Sequence, residues 1–173
     1  SKRILLTGGT GFIGANLTHR LVTDGHQVSL LVRDGADLTR LRKIENSVQT
    51  YEADLLDARS VRQAVLKAGP EVVYHLASTP FNPQTITPQT HIDVGVPGTL
   101  NLLEALTDRP DTRVVYTGSG AEYGSGSRLS EKSPMSPGTV LGGAKAAATI
   151  LAQTYCRLHA MQTVVLRLFT PYG

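Results

Sequence analysis

Three glycines, Gly8, Gly11 and Gly14, stand three residues apart between an apolar run and a helical pattern, and they constrain this chain more than any other feature. Residues 3–7 read as a strand, and residues 11–24 repeat apolar side chains at helical spacing. In a strand–turn–helix of this kind the first glycine permits a sharp turn. The second lets backbone approach a pyrophosphate, and the third lets the helix lie close on the strand. Open amides and the dipole at the helix start then favour a doubly charged phosphate bridge. The turn predicts a dinucleotide-binding unit; a purely structural glycine turn is the weaker reading.

The rest of the chain alternates in the same way, which predicts an α/β fold: a doubly wound parallel sheet of the Rossmann type, in three layers. Strands are expected at 27–32, 48–53, 71–76, 113–117 and 163–169. Helices are expected at 36–43, 57–68 with Asp57 as N-cap, 96–107 with an earlier start allowed, and 139–159. Gly25 fits a left-handed residue closing the first helix. Residues 78–89, with three prolines, and 118–138, rich in Gly, Ser and Pro, read as loops at the sheet's carboxyl edge.

Length and composition limit the alternatives. The 173 residues suit one domain, 1–173, and 40% hydrophobic with 18% charged residues describes a globular chain. The net charge of +3 comes from scattered Lys and Arg, with few aromatics to stack bases, so nucleic acid is not an expected partner. No apolar run reaches the roughly 20 residues of a membrane span, and no leader precedes the first strand, so a cytoplasmic location is expected. The single cysteine, Cys156, reads as buried filler in a helix. The five histidines show no metal-ligand spacing, and no metal is expected.

The choice of nucleotide falls at the end of the second strand, Val32-Arg33-Asp34. An acidic residue there grips the ribose hydroxyl of NAD, whereas Arg accommodates the phosphate of NADP. Val32 occupies the usual acidic position and Arg33 follows it, so NADP(H) is favoured and NAD(H) remains possible. A solvated strand-end charge is the alternative role for Arg33.

With these motifs the sequence resembles the extended short-chain dehydrogenase/reductase family, the NAD-dependent epimerases and dehydratases of nucleotide sugars. The likeness runs along the whole chain. It includes Asp54 and Leu55 of Ala53-Asp54-Leu55-Leu56-Asp57, Leu76, Ala77 and Ser78 after the fourth strand, and Gly98-Thr99-x-Asn101. It continues through Ser119 to Tyr123-Gly124 and Leu166-Arg167-Leu168-Phe169. The resemblance implies a cofactor set of Gly8, Gly11, Phe12, Ile13, Gly14, Arg33, Asp54, Leu55, Leu76, Ala77, Ser78 and Lys145. It also implies Ser119 and Lys145 as catalytic residues, a nucleotide sugar or related ketone as substrate, and a homodimer through the helices from Val96 and Thr139. A C-terminal substrate part, present in the family, is expected to be absent or truncated here.

One departure stands out. The family's tyrosine, four residues before the lysine, is replaced by Leu141, which can neither donate nor accept a proton. Gly95, Gly118, Ala144 and Thr170 also replace polar residues usual in the family. Three accounts remain open: another acid substitutes, with Tyr123, Glu122 or a water on Ser119 as candidates; the chain is a catalytically silent nucleotide binder; or Leu141 is an introduced change. Because Gly120-Ala121 follow Ser119 where the 4,6-dehydratases carry Asp-Glu, an epimerase-like or ketoreductase-like reaction is favoured. His75 reads as a satisfied core histidine and Tyr123 as a packing residue. His91 and Asp93 read as helix-capping residues, and Glu122 and Glu131 as solvated loop charges.

Overall fold

The computed structural model describes residues 1–79 and 86–172. Six strands, β1 (Arg3–Thr7), β2 (Gln27–Val32), β3 (Val48–Glu52), β4 (Val72–His75), β5 (Arg113–Ser119) and β6 (Gln162–Leu168), form one sheet. Their order is β3-β2-β1-β4-β5-β6, and every pairing is parallel. The helices α1 (Phe12–Thr23), α2 (Ala58–Ala68), α3 (Pro88–Gly95), α4 (Pro97–Leu106) and α5 (Val140–Leu158) connect them. The strand order reverses between β1 and β4, and in such sheets a crevice opens at that switch point beyond the carboxyl ends.

The core follows from strands covered on both faces. Leu5, Leu31, Val73, Val114 and Tyr116 meet Val61 and Val65 of α2, Leu102, Leu103 and Leu106 of α4, and Ala148 and Ala152 of α5. On the other face Ile4, Leu6, Val28 and Leu30 meet Ala15 and Leu21 of α1 and Leu41. Each fully buried Val or Leu contributes about 1.5–3 kcal/mol relative to exposure. Asp57 caps α2 by accepting from Arg59 N at 3.0 Å, and Gly25, at φ +78°, follows the end of α1 as expected.

Several elements differ from their sequence-based bounds. The short helix expected at 36–43 is a 3-10 helix over Thr39–Ser47, held to the core by buried Leu41 and half-buried Ile44. The loop expected at 78–89 ends earlier: Thr87 Oγ1 accepts from Thr90 N at 3.2 Å, and Pro88 starts α3. Residues 80–85 of that loop lie outside the described residues. The helix before 96 is real but separate from α4, because Pro97 has no N–H to continue the ladder. Strand β5 runs two residues beyond its expected end, through Ser119, because Gly118 and Ser119 pair with Arg167 and Leu168 of β6. Cys156 is half-buried rather than buried. Among the described residues no helix is long and apolar enough to cross a membrane, and no group of three His, Cys, Asp or Glu could hold a metal.

Candidate functional site at the carboxyl edge of the sheet

The glycine turn leaves β1 at the switch point. Gly8 adopts φ +69°, and a Cβ there would stand 2.7 Å from Ala77 N. A side chain at Gly14 would meet Gly8 O at 2.1 Å, so α1 packs against the turn as its spacing predicts. Gly11 is the N-cap of α1 and offers no side chain to its first amides. Those amides have no side-chain cap, and the start of a helix favours negative charge.

The other expected cofactor residues converge on this edge. Thr7 Oγ1 accepts from Ala77 N at 3.2 Å, and Leu76 N donates to Thr7 O at 3.1 Å, so the segment 76–78 is fastened beside the glycine turn. Arg33 is exposed just beyond β2. Asp54 follows β3 and accepts from Leu56 N at 2.9 Å, which shapes its turn. Leu55 is buried in the core, so it can face a ligand only with its backbone. Asn101 Nδ2 donates to Leu55 O at 2.8 Å and ties that turn to α4.

His75 is the satisfied core histidine foreseen. Its Nδ1 lies 2.6 Å from Thr7 Oγ1 and its Nε2 3.0 Å from Thr99 Oγ1. Burial, with a smaller contribution from the charge of Lys145, pushes its pKa down to about 3. The ring is neutral and serves as a bolt between β1, β4 and α4.

Ser119 ends β5, and Lys145 reaches the same strand two residues earlier, at Thr117. Lys145 Nζ donates to Thr117 O at 2.9 Å and lies 5.4 Å from the Tyr116 ring centroid. Lys145 is 7% exposed; burial pushes its pKa down to about 8 against the opposing pull of Glu122. Burial also raises the Tyr116 phenol, and the charge of Glu122 adds to the effect. Ser119 Oγ accepts from Ala121 N at 3.1 Å, while Glu122 Oε1 accepts from Ser119 N at 2.7 Å. This reciprocal capping box fixes the Ser119 side chain. Leu141, half-buried in the first turn of α5, stands one helical turn before Lys145.

Glu122 overturns its expectation as a solvated charge. It is 0% exposed, and its Oε2 accepts from Arg167 Nε at 2.7 Å. Arg167 Nη1 also donates to Tyr123 Oη at 2.8 Å, which supports the packing role read for Tyr123. Sequence reasoning missed Arg167 as a structural partner. Its signal was a guanidinium within the apolar run Val164 to Leu168, opposite Gly118 in the register. His91 and Asp93 are likewise not caps. They lie within α3, where His91 Nδ1 pairs with Thr79 Oγ1 and Asp93 accepts from Gln89 Nε2 at 2.7 Å.

Sheet order and turn define a doubly wound α/β protein of the Rossmann class. The chain belongs to the NAD dependent epimerase/dehydratase family, whose profile matches residues 4–173. It is 27% identical to the dTDP-glucose 4,6-dehydratase of Mycolicibacterium smegmatis over 180 residues, covering 99% of this chain and 54% of that protein. It is 28% identical to UDP-glucuronic acid decarboxylase 1 of Xenopus tropicalis, covering 99% of this chain and 42% of that protein. Among solved structures, the Thermus thermophilus UDP-glucose 4-epimerase in complex with NAD is similar at TM-score 0.85 and 28% identity. That match covers 95% of this chain and 54% of the epimerase. The chain thus spans about half the length of the curated relatives it matches.

Proposed function

We propose that this chain is the nucleotide-binding part of an NAD(P)-dependent oxidoreductase or epimerase acting on a nucleotide sugar or a related ketone. The observation that carries the reading is the convergence of the glycine turn, the segment 76–78, Ser119 and Lys145 on one sheet edge. The cradle fits a dinucleotide, because Gly8 and Gly14 leave no room for a Cβ and the amides at the start of α1 are uncapped by any side chain. Gly8, Gly11, Phe12, Ile13 and Gly14 would hold its pyrophosphate. Asp54 and Leu55 would meet the adenine end, and Leu76, Ala77, Ser78 and Lys145 the nicotinamide ribose. A nicotinamide nucleotide supplies hydride chemistry when bound; the protein supplies position and a proton. Ser119 would hold the reacting oxygen, its hydroxyl fixed by the capping box.

NADP(H) is the favoured form because Arg33, and no carboxylate, directly follows Val32 at the end of β2. A homodimer through the helices beginning at Val96 and Thr139 belongs to the same reading, as does a cytoplasmic location. The experiment is turnover of UDP-glucose and UDP-glucuronic acid with either nucleotide, with Ser119→Ala alongside. Turnover that falls on losing the hydroxyl supports the proposal. Unchanged turnover removes Ser119 from it, and nucleotide binding without turnover returns the silent-binder account of Leu141.

A further inference from the structure

Leu141 leaves the proposed reaction without the phenol that would carry its proton, so each proton-bearing group near the end of β5 must be asked whether it can serve. Glu122 cannot: one oxygen is held by Ser119 N, the other by Arg167 Nε, and the side chain is sealed from solvent. Tyr123 is buried with its Oη against Arg167 Nη1. Both nitrogens of His75 are engaged by Thr7 and Thr99. Tyr116 Oη is buried without a partner among the described residues, and its phenol is held protonated by burial.

Lys145 differs from all of these. Its ammonium has three protons and gives one to Thr117 O, two residues before Ser119 on β5. It stands four residues after Leu141, hence on the same face of α5 and one turn away. We propose that Lys145 is itself the proton carrier of the reaction, a reading that rests on the function proposed above. In the oxidising direction the substrate O–H bond breaks and its proton forms an N–H bond on the neutral amine. The C–H electron pair is accepted by the nicotinamide nucleotide. Reduction returns the proton to the new alkoxide oxygen.

The groups facing Lys145 set its titration. His75 from β4 and Tyr116 from β5 are neutral, and Glu122 from the turn after β5 is the anion that favours the ammonium. Helix α3 brings Gly95 against Ala144, a contact that adds no charge. Burial prevails over Glu122 and leaves Lys145 near the pH where a general base works best. The rival is His91 on α3, one turn before Gly95 and held at Nδ1 by Thr79.

The test replaces Lys145 by cysteine in a Cys156→Ser background and alkylates it with bromoethylamine, giving a thia-lysine whose amine is more acidic. UDP-glucose oxidation by the native protein should rise with pH through about 8 and shift to lower pH in the thia-lysine protein. Lys145→Arg should lose about 100-fold or more, the range for removing a general acid–base, and His91→Asn should stay active. A second readout needs no turnover. In the reductively 13C-methylated protein, the NMR signal lost in Lys145→Arg should titrate well below the other lysines. A signal that titrates with the others, or a pH profile unmoved by thia-lysine in an active enzyme, overturns Lys145 alone; loss of activity in His91→Asn then identifies the rival. A native protein that binds nucleotide yet turns over nothing removes the reaction itself, and this proposal with it.

Discussion

Arg167 Nε donates to Glu122 Oε2 at 2.7 Å, with the glutamate side chain 0% and the arginine side chain 14% exposed. Of the ion pairs among the described residues, this one alone is buried. Removing one partner of such a pair strands the other charge, which costs about 3–5 kcal/mol. Glu122→Ala should therefore lower unfolding free energy in urea by that order. The double variant Glu122→Val with Arg167→Met should recover much of it. A single-variant loss below about 1 kcal/mol, the worth of an exposed pair, would show that the pair is solvated.

The same glutamate explains a glycine. A Cβ at Gly118 would stand 2.4 Å from Glu122 Oε1, so a hydroxyl residue here must displace the buried Glu122 carboxylate. A Cβ at Gly95 would likewise stand 3.1 Å from Ala144 Cβ. Two of the departures, Gly95 and Ala144, thus adjoin each other, and a third, Gly118, makes room for Glu122. Gly118→Ser should destabilise by about 1–3 kcal/mol, the cost of overpacking. A thermal melt no lower than the native one would contradict that packing.

Arg33 is exposed just beyond β2, where the proposed function has the ribose end of a nucleotide. Charge-assisted hydrogen bonds contribute about 1.5–3 kcal/mol, so Arg33→Ala should weaken NADPH binding by about tenfold to a hundredfold. Binding of NADH should hold. Equal losses for both nucleotides in a fluorescence titration would place Arg33 elsewhere than at the phosphate.

Acid should loosen the fold through His75. Its pKa is about 3 in the fold and near 6.5 when exposed, so between those values the unfolded chain binds the extra proton. Stability is then complete above about pH 6.5 and is lost as pH falls toward 3. From pH 7 to pH 5 the loss is about 2 kcal/mol at roughly 1.4 kcal/mol per unit. In His75→Gln, which keeps side-chain atoms able to bond Thr7 and Thr99, this part of the pH dependence should vanish. Parallel pH curves for the two proteins would show that His75 already titrates normally.

The alternation of short apolar runs with helical periods made β1 to β6 and α1, α2, α4 and α5 legible; the central strands, covered on both faces, leave the clearest apolar record. The glycine turn was legible for a related reason: Gly8 and Gly14 answer steric demands that admit no other residue. What escaped depends on tertiary contacts. Glu122 looked like a loop charge because its partner, Arg167, lies 45 residues away. The 3-10 segment Thr39–Ser47 was expected as a short helix at 36–43, a few residues early, and α3 hid behind the prolines that precede it. His91 and Asp93 were read as caps because the true cap, Thr87, stood inside a presumed loop.

The most direct test of the central claim is a titration of the folded protein with NADPH and NADH, beside Gly11→Asp, which sets a carboxylate at the open start of α1. Saturable binding of at least one nucleotide, abolished by that aspartate, is the predicted result. A folded protein that binds neither, or that binds equally well with the aspartate in place, would contradict a dinucleotide site at the turn Gly8–Gly14.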